Sequence, residues 1–213
     1  MFGVGFAAPA AMSHEKVTVT IAFMLSLFFV CAVILLSTIK LVLGFRAMME
    51  YGVAQETTAT LWIVIPILTV VGIALFRLTM ALDHNFGAPA TPAGLFVMTT
   101  SIFSLQVLMG LLGWMVMKKA GYFERFVTGP DKSVGSYALV CPGVAFFVFA
   151  NFLIHKGLIP VGLFDKFSVV YFLLYLPLIY LQVKTIRLMF LLNGKLLRQE
   201  HPKLGRPLAA DGG

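Results

Sequence analysis

The chain has 213 residues, a formal net charge of +7 and a mean hydropathy of +0.95, with 60% hydrophobic and 12% charged residues. Soluble domains carry about 25% charge, so this composition excludes an ordinary water-soluble enzyme and predicts a chain that lives in a lipid bilayer. The excess of cations does not call for nucleic acid, because its placement follows the apolar runs.

Residues 2–12 are apolar and rich in small side chains. The stretch is too short to cross a bilayer, and is expected at the interface or docked on a partner. Roughly 20 apolar residues of helix cross a core about 30 Å thick. Five runs meet this condition: 17–44, 58–82, 94–117, 136–159 and 166–182. The last is expected to continue as helix to about residue 199, ahead of a flexible cytoplasmic tail over 200–213. Barrel strands would be about 10 residues long and alternate with polar ones, so the predicted fold class is all-α, a polytopic single domain over 1–199. The first run is too long for a cleaved signal, and no basic n-region precedes it.

The connections are short. Residues 45–57 read as a polar link, and 83–93 as an extended turn through Asn85, Gly87, Pro89 and Pro92. The longest loop is 118–135, with a turn expected at Gly129-Pro130-Asp131, and 162–165 closes the last connection.

The 16 Lys and Arg residues divide unevenly between the two ends of the spans. One end holds Lys40, Arg46, Lys118, Lys119, Arg125, Lys132, Lys184, Arg187, Lys195, Arg198, Lys203 and Arg206; the other holds Lys16, Arg77, Lys156 and Lys166. The basic end belongs in the cytoplasm, which places the amino terminus outside and the carboxyl terminus inside. Anionic inner-leaflet lipid would attract the same end.

Within the spans stand Pro66, Pro142 and Pro177, each a packing kink or a break that opens the backbone to a path. Gln106 and Asn151 are intramembrane amides, which serve as interhelical glue or line a route for solute. Phe146, Phe147, Phe149 and Phe152 crowd the fourth run, either facing lipid or plugging a narrow pore. Lys184, Arg187, Lys195 and Arg198 fall within an arc of about 80° at 100° per residue. They form a basic face that anchors to lipid headgroups or concentrates anions at an entrance. His84 and His155, with Asp83 and Asp165 at similar depth, are ordinary polar anchors or a set for b-type haem or a metal ion. No cofactor is otherwise predicted. Cys31 and Cys141 lie at different depths, so no disulfide is expected. No P-loop, HExxH or GxSxG sequence supports catalysis.

Three stretches carry a resemblance: Phe6-Ala-Ala-Pro-Ala-Ala-Met12, Leu61-Trp-Ile-Val-Ile-Pro-Ile-Leu-Thr69, and Ser136-Tyr-Ala-Leu-Val-Cys-Pro-Gly-Val-Ala-Phe-Phe-Val-Phe149. Over most of residues 1–195 the chain resembles the carboxyl-terminal half of the tellurite-resistance/dicarboxylate transporter family, which includes the TehA and plant guard-cell SLAC-type anion channels. More narrowly it resembles the TsoY-type membrane (seleno)proteins. That resemblance implies ten helices in five hairpins around a central pore, with the second and fourth helices here among the inner ones. It also implies a gating phenylalanine at Phe149 or Phe147, on inner helices that carry Pro66 and Pro142; Asn151 is a further candidate for the path from its place in the fourth run. Five helices supply two of five inner helices, so other chains or further copies would complete a pore.

Three functions are therefore expected: a transport unit or half-unit for small anions, a structural subunit of a larger energy-transducing membrane complex, or a b-type haem or metal protein. The partners expected are lipid and other transmembrane chains, in a bacterial inner membrane.

Overall fold

The computed structural model describes residues 1–13, 15–52, 55–129 and 134–197. Helices dominate: α1 (Phe2–Met12), α2 (Lys16–Tyr51), α3 (Val64–Phe86), α4 (Pro92–Lys119), α5 (Val140–Leu153) and α6 (Val169–Leu197). Five are long and apolar enough to cross a membrane, over Lys16–Glu50, Leu61–Phe86, Pro92–Lys119, Ser136–Leu158 and Val169–Lys195. A multi-pass membrane protein follows from their length and composition. Pro130 and Asp131 of the expected turn, Arg198 and the tail 200–213 lie outside the described residues.

Each helix ends where its sequence stops supporting it. The expected polar link 45–57 is largely helix instead, because nothing breaks α2 before Gly52, which takes a left-handed φ of 77°. An Arg46–Glu50 ion pair at 3.6 Å rides on that extension, one turn apart and exposed. α3 ends at Gly87, again left-handed, with its amide donating to Leu82 O. α4 starts with Pro92 in its first turn, and the Thr91 side chain accepts from the Gly94 amide at 3.2 Å. α6 begins at Val169 rather than Lys166, since Phe167 holds a left-handed φ of 67° and Ser168 accepts from the Tyr171 amide.

Two of the three prolines within spans stand near the start of an α-helix. Residues Gln55–Ile63 wind as a 3-10 helix that becomes α3, and Val134–Leu139 as one that becomes α5. Pro66 and Pro142 each stand third in the α-helix that follows, just past the change from 3-10 to α winding. The same device thus starts both helices, although no repeat is evident in the sequence. Pro177 does fall inside α6.

The stretch 2–12 docks within the chain itself. α1 turns back beside α2 and packs between α2 and α3. Its eleven residues rise about 16 Å, half of a roughly 30 Å core. Gly3, Ala7 and Ala10 are buried and meet Ala22 and Val30 of α2 and Ala74 and Ala81 of α3. Small residues let the backbones approach closely, which is how helices associate when lipid removes the hydrophobic drive. A Cβ on Gly3 would stand 3.3 Å from Val30 Cγ2. Ser26 donates to Gly3 O at 2.7 Å, and Phe2 and Phe6 pack on Phe29.

α3 is the centre of the bundle: it touches α1 and α2 on one side and α4 and α5 on the other, with α6 behind α5. The basic end has a small core of its own. Tyr122 and Phe126, from the expected loop 118–135, pack with Ala59, Met117 and Leu139. There Lys195 Nζ donates to Phe126 O at 2.9 Å, and Tyr137 bonds Asn193.

Candidate functional site

α3, α4 and α5 meet in successive layers. Nearest the basic end, Trp62 Nε1 donates to Gly110 O at 3.0 Å, with its ring in the space beside Gly113. One to two turns further, Gln106 of α4 is fully buried, and its Nε2 donates to Thr69 Oγ1 at 2.8 Å and to Ile65 O at 3.1 Å. Thr69 in turn reaches Ala145 O of α5 at 3.1 Å. A chain of hydrogen bonds therefore ties α4 to α3 and α3 to α5.

The next layer is apolar. Phe149 is 0% exposed, and its ring covers Gly72 of α3. A Cβ on Gly72 would stand 2.5 Å from Phe149 Cε2 and 3.2 Å from Ile102 Cδ1 of α4. Only glycine leaves the ring its seat. Beyond it, Phe152 stacks on Phe149 at 5.9 Å and meets Phe76 edge-on at 4.8 Å. Thr99 is buried against Gly157, and Lys156 Nζ lies 6.0 Å from the Phe76 ring. Phe149 thus lies between a polar layer and an aromatic one.

The two phenylalanines proposed for a gate are separated by this geometry. Phe147 is half-buried and packs towards α6 with Ala150, Ile154, Tyr171 and Leu178. Pro66 is half-buried and Pro142 buried at the starts of α3 and α5. Asn151 also turns to α6, where Oδ1 accepts from Tyr175 Oη at 2.6 Å.

Tyr175 Oη is also 3.1 Å from His155 Nε2. The hydroxyl thus joins Asn151 and His155, the direction of the second bond following the imidazole tautomer, and Tyr171 packs against Tyr175 with its ring tilted, centroids 4.7 Å apart. His155 stands in a π-helical turn, Ile154–Leu158, that closes α5. His84 sits elsewhere, exposed, with Nδ1 3.5 Å from Ala11 O of α1. The two histidines have separate partners, and among the described residues no group of three His, Cys, Asp or Glu could hold a metal ion. Cys31 and Cys141 are exposed free thiols.

Lys184 and Arg187 are exposed on α6, Lys184 Nζ lying 4.7 Å from the Tyr180 ring. Lys195 turns back to Phe126. These cations line the outer surface of the basic end and do not meet the α3–α4–α5 layers.

No protein-family model, curated protein or solved structure matches this chain.

Arg77 escaped the sequence reading. Counted there at the end of a span, it lies within Leu61–Phe86, and its Nη1 donates to Val4 O of α1 at 3.3 Å. The signal available was its place inside an apolar run, where a cation marks an interhelical contact or a functional position. Tyr175 and Ser26 gave no signal, because hydroxyls in apolar helices find partners in many ways.

Proposed function

We propose that the chain is a membrane transport half-unit whose passage is closed at Phe149. The observation that supports this most is the fully buried Phe149 ring on Gly72, directly above the Gln106–Thr69 polar layer. Wide aromatic side chains that fill a constriction between helices can gate by excluding water, and this one sits where three helices meet. The resemblance to the tellurite-resistance/dicarboxylate transporter family supports the same residue and implies small anions as solutes. In this reading α3 and α5 are inner helices, and other transmembrane chains or further copies supply the rest of the wall. The charge asymmetry supports a bacterial inner-membrane orientation, with the basic end in the cytoplasm and Lys184, Arg187 and Lys195 at the anionic leaflet.

Flux across proteoliposomes tests the proposal. Movement of small solutes, anions included, should be slow in the native chain and rise in Phe149→Ala. No movement of any small solute in either chain, across every oligomeric form, would end it.

The tightness of the Gly72 seat favours a second reading, that of a structural subunit in a larger complex. Mild-detergent purification from the native membrane separates the two: a stoichiometric partner complex supports the subunit, and isolation alone counts against it.

A further inference from the structure

Gln106 has one polar atom without a partner. Its Oε1 is buried and accepts nothing, while both protons of Nε2 are used. The amide cannot simply be turned over. Ile65 O, 3.1 Å away, is a carbonyl that can only accept, so the nitrogen must face it. Turning the amide would place two carbonyl oxygens in contact. The vacant valence in this layer is therefore an acceptor.

A buried acceptor without a donor costs about 1–3 kcal/mol, and such atoms in native proteins mark a bound water, ion or ligand. Thr69 cannot fill the vacancy, because its hydroxyl receives the Nε2 proton and spends its own on a carbonyl. What fits beside Oε1 carries an N–H or O–H. An anion brings only further acceptors, and would face the oxygen lone pairs with no donor left to hold it.

We propose that Gln106 Oε1, one helical turn from the Phe149 seat towards the basic end, is the acceptor of a binding site for a small hydrogen-bond-donating solute of the ammonium type, not an anion. The site rests on the transport reading for its place on a path, and departs from the resemblance in the class of solute.

The native full chain and its Phe149→Ala variant, in proteoliposomes, report the solute class. Methylammonium uptake should exceed nitrate uptake, and should fall about tenfold in Gln106→Met, the loss of one charge-assisted hydrogen bond. Gln106→Glu keeps an acceptor there and should retain uptake. Uptake that favours nitrate, or methylammonium uptake indifferent to Gln106→Met, overturns the assignment. If neither solute moves, the transport reading fails on its own and infrared spectroscopy of the native chain still decides the site. The Gln106 carbonyl band, isolated as the difference from Gln106→Met, should shift to lower frequency when methylammonium is added. A band that stays where a free carbonyl absorbs overturns the site.

Discussion

At the scale of single residues, two contacts carry the argument. Gly72 gives up its side chain so that the Phe149 ring can lie against the α3 backbone. Gly72→Ala should therefore destabilise the fold by about 1–3 kcal/mol, as overpacking of a tight core does. Thermal unfolding in detergent should show the loss, and Phe149→Leu in the same chain should recover part of it, since the shorter side chain leaves room for the methyl. Additive losses would mean that the two residues do not share a seat. The second contact is the relay from His155 through Tyr175 to Asn151. Removing the hydroxyl in Tyr175→Phe should cost about 0.6 kcal/mol, and no more than about 1.7, the range for interhelical bonds in membranes. It should also remove the Nε2 partner, so the 15N resonances of the His155 ring should shift. An unchanged spectrum would show that Tyr175 does not hold the ring. The sequence named Phe149 and Phe147 together and could not choose. α5 is apolar all round, so its pattern carries no preferred face, and only the neighbouring Gly72 and Ile102 decide which ring turns inward.

At the scale of elements, the spans were legible because lipid demands long uninterrupted apolar helices, and 58–82, 94–117 and 136–159 fall within a few residues of the helices that form. The starts of α3 and α5 were not legible. A 3-10 segment has no hydrophobic period distinct from its surroundings, and proline within a span reads as a kink until its position in the helix is known. α1 was legible as short and apolar, but not as inserted, because its stability comes from Ala22, Ala74 and Ala81, far away in sequence. That insertion predicts labelling. With Cys31 and Cys141 replaced by Ser, a cysteine at Ala7 should resist a membrane-impermeant thiol reagent in the intact protein. Ala81→Phe, which crowds α1 from its seat, should make it react. A thiol that reacts without that change places α1 at the surface.

At the scale of the whole molecule, five crossings would put the two termini on opposite faces of the membrane. Cysteines placed singly at Gly87 and Gly162 should be modified by an impermeant reagent in whole cells, and those at Gly52 and Lys195 only after lysis. The reverse pattern would invert the orientation and move the basic surface outside. The distribution of Lys and Arg carried this expectation at the level of sequence. The hydrogen-bond chain across α3, α4 and α5 was beyond it: Gln106 was visible as a buried amide, but its partners were not.

The inserted half-helix has a consequence for biogenesis. The alanines that receive α1 on its far side, Ala74 and Ala81, belong to α3, which is synthesised after it. The seat of α1 is complete only once α2 and α3 have paired, so its final packing is expected to follow theirs.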